Sequence, residues 1–111
     1  MKIFVQAKDI KITQGIKNFV EDAVVRNVAR LGKKVMSVKV YLENVTRKKN
    51  DPHGAKAKVE IDMPGEKIVV EGKSFEPYQA ITKAIKVGTR RLRKIKEKKE
   101  SQKNKIEKRM K

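Results

Sequence analysis

Cysteine and tryptophan are absent from this 111-residue chain, and histidine occurs only once. Without cysteine the protein can form no disulfide, no thiolate metal site and no cysteine nucleophile, which suits a reducing compartment. No apolar run approaches the ~20 residues needed to cross a bilayer. The chain enters a strand-like run directly after Met1, so its start does not have the pattern of a signal peptide. We therefore expect one soluble domain, located in the cytoplasm.

The sequence offers little catalytic chemistry. Its one histidine, His53, lies in a polar segment, where a turn residue is far more common than a catalytic base. No His, Asp and Glu cluster has metal-ligand spacing, and the glycines form neither a P-loop nor a dinucleotide motif. Glu60 and Asp62 share a strand face, but Lys56 and Lys58 provide ordinary cross-strand charge partners for them. We expect no enzymatic activity, no cofactor, no metal and no small-molecule substrate.

Aromatic residues make up only 5% of the chain, and they are scattered along it. They are Phe4, Phe19, Tyr41, Phe75 and Tyr78. Proteins that read single-stranded RNA stack bases on grouped aromatic rings. The scatter therefore argues against a base-stacking platform, and favours recognition of the shape and backbone of a folded RNA.

Acidic residues are scarce, and the imbalance is concentrated at one end. The chain has 30 Lys and Arg against 13 Asp and Glu, a net charge of +17. Residues 83–111 hold 14 basic and 3 acidic side chains, so this segment alone contributes +11. Repulsion among so many positive charges destabilises a compact fold. Binding to a nucleic acid offsets this cost, because Lys and Arg contact its phosphates and release bound counterions. The expected partner is a large polyanion, with nucleic acid as the first candidate.

Hydrophobic periodicity predicts six elements. Four segments alternate apolar and polar residues, which is typical of strands with one wet face. Two segments repeat apolar residues at helical spacing; the first follows Thr13, a residue suited to the N-cap, and ends before Gly32. Pro77 suits the first turn of the second. The prediction is strands at 2–7, 36–44, 55–62 and 67–71, and helices at 14–31 and from Pro77 onward.

The element order β-α-β-β-β-α predicts an α+β fold. A four-stranded sheet with one apolar face and two amphipathic helices is most simply arranged as a two-layer sandwich, with both helices on one face. Pro64 and Gly65 have the pattern of a type II turn, and 46–54 is predicted to be a loop. Residues 1–95 would form the folded domain. The basic segment 96–111 has few apolar residues to pack, so we expect a flexible or frayed-helix tail.

Several short motifs occur in a characteristic order. They are Lys11–Ile16, Ala57–Ile61, Pro64-Gly65, Gly72–Ile81 and Leu92-Arg93-Lys94. In this order and spacing the sequence resembles the ribosome hibernation-promoting factors, also called ribosome-associated inhibitor or ribosomal subunit interface proteins. The likeness covers about residues 1–98, and the end at residue 111 resembles a short form without the C-terminal dimerisation domain of long members. Thr82 stands where the family usually has Asp or Asn, and Val87-Gly88 where it often has Lys-Leu.

The resemblance implies a protein that binds the small ribosomal subunit and the whole ribosome. Members of the family occupy the channel for mRNA and tRNA, touch rRNA phosphates with basic side chains of both helices, and hold ribosomes inactive under stress. Steric occlusion of this kind needs no active site, and the protein is expected to be monomeric off the ribosome. The RNA-binding residues implied by position are Lys83, Lys86, Arg90, Arg91, Arg93 and Lys94, together with Arg26, Arg30, Lys33 and Lys34.

Two other functions stay open from the sequence. A general double-stranded RNA-binding domain has an α-β-β-β-α fold that lacks only the first strand, and it would bind any long RNA duplex. A non-enzymatic adaptor with a basic tail would instead recognise acidic protein partners, with no preference for RNA. An anionic membrane is a third polyanion, but no large apolar residues lie opposite the basic face after Ile95, so we expect no membrane partner.

Overall fold

The computed structural model describes residues 1–29, 34–44 and 54–109, with side chains as far as Ile95. Four strands and two helices follow one another in the predicted order β-α-β-β-β-α. A short π-helical segment, Val25–Ala29, continues the first helix. The elements are β1 Lys2–Lys8, α1 Gln14–Val24, β2 Ser37–Asn44, β3 Ala55–Met63, β4 Glu66–Ser74 and α2 Pro77–Arg109.

The four strands form one sheet in the order β1-β2-β3-β4. β1 pairs with β2 in parallel, because α1 carries the chain back between them, and the other two pairs are antiparallel. Pro64 and Gly65 close the β3–β4 hairpin, and Gly65 has the positive φ of 78° that the third position of a type II turn requires. The sheet is therefore mixed, with β1 and β4 as its two edges.

One face of the sheet is buried, and both helices lie on it. Burial alternates along β2 and β3, so every second side chain points into the core. Val40, Val59 and Ile61 of the sheet are fully buried with Val20 of α1 and Ile81 of α2, and they belong to one hydrophobic cluster. This arrangement confirms the predicted α+β two-layer sandwich.

Glycine lets α2 approach the sheet closely at two places. A Cβ atom at Gly72 of β4 would lie 2.6 Å from the Ala80 carbonyl oxygen and 2.6 Å from the Ala84 nitrogen. A Cβ atom at Gly88 of α2 would lie 3.2 Å from the Ile61 side chain. The backbone of β4 and that of α2 are therefore in direct contact at Gly72, which sets the height of the helix above the sheet.

The first helix begins as predicted and ends differently. The Thr13 side chain caps α1 by accepting a hydrogen bond from the Ile16 N–H at 3.1 Å. The α-helix ends at Val24 rather than at 31, and the π-helical segment follows it. The Asn27 side-chain amide donates to the Ala23 carbonyl oxygen at 2.7 Å, which in a regular α-helix accepts the Asn27 backbone N–H. The side-chain amide of Asn27 thus competes with the backbone N–H of the same residue for one carbonyl oxygen, which explains the wider, π-helical turn at 25–29.

The second helix is longer than its buried stripe. It spans 33 residues, or ~50 Å at 1.5 Å per residue, whereas nine-residue β4 spans ~30 Å. The backbone of 96–109, in the segment predicted to be a flexible or frayed-helix tail, continues α2. Its mobility in solution stays a prediction. Of the predicted loop 46–54, only Gly54 is among the described residues, and His53 is not.

No helix in the described ranges is both long and apolar enough to cross a membrane.

Candidate nucleic-acid interface

Helix α2 presents a row of exposed cations outside its buried side. Ala80, Ala84 and Leu92 turn inward and are buried. Residues three or four apart share one side of a helix, so the outward positions line up along its axis. We refer to five exposed side chains as the α2 basic stripe: Lys83, Lys86, Arg90, Arg93 and Lys94.

The α2 basic stripe differs from the sheet in how its described side chains are paired. Within the part of the chain whose side chains are described, none of its five members takes part in an ion pair. The sheet is different, because Lys56 pairs with Glu71 at 3.1 Å and Glu60 lies between Lys58 and Lys67 at 3.6 and 3.5 Å. Among the described side chains, α2 therefore carries a row of neighbouring cations without ion-pair partners.

Two of the predicted RNA-binding residues also bind the edge of the sheet. Lys83 donates from Nζ to the Lys73 carbonyl oxygen at 3.2 Å, and Arg91 donates from its guanidinium to the Val69 carbonyl oxygen at 3.3 Å. Both carbonyls belong to β4, an edge strand, whose outer backbone groups would otherwise invite pairing with another chain. Arg91 therefore reaches over the edge of β4, beside the α2 basic stripe.

The α1 residues predicted to bind RNA are less well placed than those of α2. Arg26 lies in the π-helical segment, where its Nε is 3.2 Å from Asp22 Oδ2, so its charge is largely offset. Lys34 is exposed in the turn before β2. Arg30 and Lys33 lie outside the described residues. The structure thus places the α2 cations on one helix, whereas Arg26 and Lys34 belong to two other segments.

Aromatic packing fixes α1 against α2, an arrangement that the periodicity of either helix could not reveal. The rings of Phe19 and Tyr78 meet edge to face, with their centroids 5.0 Å apart and their planes at 88°. Such pairs contribute ~0.5–1.5 kcal/mol beyond their buried area. The middle of α1 therefore packs against the start of α2. This contact helps to fix the position of the helix that carries the α2 basic stripe.

The described residues contain no group of His, Cys, Asp and Glu able to hold a metal ion. What they do contain is a small α+β sandwich with an uncompensated row of cations on its last helix. Such a row suits the phosphate backbone of a nucleic acid, which carries closely spaced negative charges. Fold and surface together define a small α+β domain with a strongly basic last helix.

Residues 3–100 match the family described as sigma 54 modulation protein / S30EA ribosomal protein, and the chain belongs to that family. This membership confirms the resemblance drawn from the sequence motifs. No curated protein matches the chain.

Solved structures give the same picture of the fold. The N-terminal domain of Protein Y from Thermus thermophilus is 25% identical in sequence, with a TM-score of 0.72 over 86% of this chain and 99% of that one. A ribosomal subunit interface protein from Coxiella burnetii has a TM-score of 0.63 at 14% identity, over 91% of this chain and 99% of that one. The second likeness concerns the fold alone.

Proposed function

We propose that this protein is a ribosome hibernation factor that inhibits translation by occupying the mRNA and tRNA channel of the small subunit. Its family is that of the sigma 54 modulation protein / S30EA ribosomal protein, and one solved structure with the same fold is a ribosomal subunit interface protein. A factor of this kind acts in the cytoplasm, on the small subunit and on the whole ribosome. Its contacts are with rRNA, and it is a monomer when free.

The observation that carries the proposal is the α2 basic stripe. Its cations are exposed, and no described carboxylate pairs with them, so their charge is available to a partner. Ile85 and Leu92 anchor the same helix in the core at 1% and 3% exposure. Because the helix is already ordered, binding loses little backbone freedom, and more of the electrostatic attraction remains as affinity.

Steric occlusion is the mechanism that these features support. A rigid domain that grips rRNA phosphates needs only to fill the space that mRNA and tRNA would use. Contacts to phosphates fix position and orientation without reading base sequence. The proposal therefore assigns no catalytic residue and no cofactor to the chain.

Co-sedimentation with small subunits at graded salt tests the phosphate contacts. If ~6 phosphates are neutralised, the logarithm of the binding constant should fall with the logarithm of salt concentration with a slope of roughly −4 to −5. A long RNA duplex at the same phosphate concentration is the matched competitor, and it should displace the protein only weakly. Retention that ignores salt between low and physiological levels contradicts the proposal, and efficient displacement by the duplex favours a general double-stranded RNA-binding domain.

A further inference from the structure

The face of the sheet opposite the helices is open, and it carries two aromatic rings. Phe4 of β1 is 43% exposed, and Tyr41 of β2 lies on the same face, half-buried. In the parallel pairing, Phe4 is opposite Lys39 and Gln6 is opposite Tyr41, so the two rings occupy diagonal positions on neighbouring strands. With strands about 4.8 Å apart and a rise of about 3.3 Å per residue, such diagonal positions lie roughly 8 Å apart. Two residues 37 positions apart in the chain are thus brought together.

This face carries both acidic and basic side chains, including Glu43 of β2 opposite Lys56, and Lys39 of β2 opposite Glu60. On β3 and β4 the carboxylates of Glu60 and Glu71 are paired with lysines. On β1 and β2, Lys2 and Lys39 lie close to Phe4 in the register, and neither forms an ion pair with any described residue. We refer to Lys2, Phe4, Lys39 and Tyr41 as the aromatic face.

Lys58 lies over the Tyr41 ring on this face. Lys58 Nζ, from β3, lies 6.0 Å from the centroid of the Tyr41 ring, within the range of a cation–π contact. The Tyr41 ring therefore lies on the open surface, within reach of a lysine from the neighbouring strand. The remaining neighbours, Gln6 and Ser37, are polar, so the face has too little aliphatic surface to serve as a hydrophobic protein interface.

We propose that the aromatic face binds single-stranded RNA, with one base stacked on Phe4, a second stacked on Tyr41, the phosphate between them held by Lys39, and the phosphate on the far side of Phe4 held by Lys2. Aromatic rings on a four-stranded sheet, set beside cations, are a recurring way of binding unpaired bases. Stacking tolerates any base because every base has a π-face. The aromatic face points away from the core-facing side that α2 covers, so it is separate from the α2 basic stripe. This inference does not rest on the proposed ribosome binding.

Fluorescence anisotropy of the free protein with a labelled ten-nucleotide RNA without self-complementarity tests the inference. The double variant Phe4→Val and Tyr41→Val removes both rings and keeps residues that favour strands. We expect it to bind at least tenfold more weakly, because each stack contributes fivefold or more. The matched control is Phe75→Val, which removes a ring that is 78% exposed elsewhere, and it should bind within twofold of the parent.

An abasic strand of the same length separates stacking from simple charge attraction. The parent and the double variant should bind the abasic strand equally and weakly. If the double variant binds the intact RNA as tightly as the parent does, or if the parent binds both strands equally, the inference is overturned. A concentration-dependent dimer that the double variant abolishes in sedimentation equilibrium would also overturn it, since the face would then join two copies of the chain.

Intrinsic fluorescence gives a readout that does not depend on removing either ring. The chain has no tryptophan and two tyrosines, so Tyr78→Phe leaves Tyr41 as the only tyrosine. Stacked bases should quench its emission saturably, whereas the abasic strand should not, and an unchanged emission at saturating RNA overturns the inference. Small-subunit binding by the double variant should equal that of the parent, which distinguishes the aromatic face from the proposed ribosome-binding surface.

Discussion

At the scale of single residues, Gly72 controls how closely α2 lies on the sheet. Its missing side chain leaves room for the backbone of α2, and any Cβ there would meet two backbone atoms at 2.6 Å. Backbone atoms cannot move aside as the end of a flexible side chain can. The position of the α2 basic stripe above the core therefore depends on this glycine.

Replacing Gly72 with alanine should destabilise the protein. The helix must shift from the sheet to make room for the new methyl group, and overpacking of this kind costs ~1–3 kcal/mol. For a domain of this size, we expect the melting temperature to fall by roughly 5–20 °C. Thermal unfolding followed by circular dichroism measures the change directly.

Gly15 supplies the matched control for this substitution. It lies in the first turn of α1, and a Cβ there would be 3.4 Å from the Tyr78 hydroxyl, an ordinary contact. Because alanine favours a helix over glycine by up to ~1 kcal/mol, Gly15→Ala should leave the melting temperature unchanged or raise it. A Gly72→Ala protein that is as stable as the Gly15→Ala protein would show that the close approach does not matter.

At the scale of elements, hydrophobic periodicity predicts the strands and helices well. Thr13 caps α1 and Pro77 begins α2, as their chemistry predicts. Pro64 lies in the predicted turn between β3 and β4, before Gly65 with its positive φ. The π-helical end of α1 was not predicted, because the apolar stripe continues through Val28 and conceals the competing bond of Asn27. β4 extends to Ser74 rather than 71 because Gly72 pairs in the ladder although it adds no apolar side chain to the pattern.

The far end of α2 should contribute less to binding than the part that covers the sheet. Deleting 99–111 removes positive charge but none of the described core, so the melting temperature should be unchanged. We expect small-subunit affinity to fall only severalfold, because charges beyond the braced part of the helix act as diffuse attraction. Sedimentation at one fixed salt, together with thermal unfolding, tests both statements. A deletion that abolishes binding would place the main contact beyond the described core.

At the scale of the whole molecule, the two faces of the sheet differ in what they contact. One face holds the core and α2, and the other is open to solvent. The sequence predicts the cations of α2 from their spacing, since helical periodicity is local. It does not predict the bonds from Lys83 and Arg91 to β4, or the proximity of Phe4 to Tyr41, because these depend on strand order and register. Register is decided by long-range packing.

Occupation of the channel predicts competition with its normal ligands. Initiator tRNA and mRNA, added together to small subunits, should lower the apparent affinity for this protein, and excess protein should displace them in turn. Filter binding with labelled tRNA and sedimentation of the protein measure the two directions. Simultaneous, undiminished binding of all three partners would rule out occlusion and leave the protein bound elsewhere on the subunit.

The central claim is that the α2 basic stripe holds the small subunit, and a charge-matched pair of variants tests it most directly. One variant changes Arg90, Arg93 and Lys94 to glutamine. The other changes to glutamine three lysines of the sheet that already form ion pairs with carboxylates. Both variants therefore lose three positive charges. They are Lys56, Lys58 and Lys67.

The two variants are compared by co-sedimentation with small subunits at one physiological salt concentration, after thermal unfolding has shown that both fold. If each contact contributes ~1 kcal/mol or more, the stripe variant should bind on the order of 100-fold more weakly. The sheet variant should stay within a fewfold of the parent, because each of its three lysines already pairs with Glu60 or Glu71. Equal losses in the two variants would mean that net charge alone drives binding, and a larger loss in the sheet variant would place the interface on the opposite face.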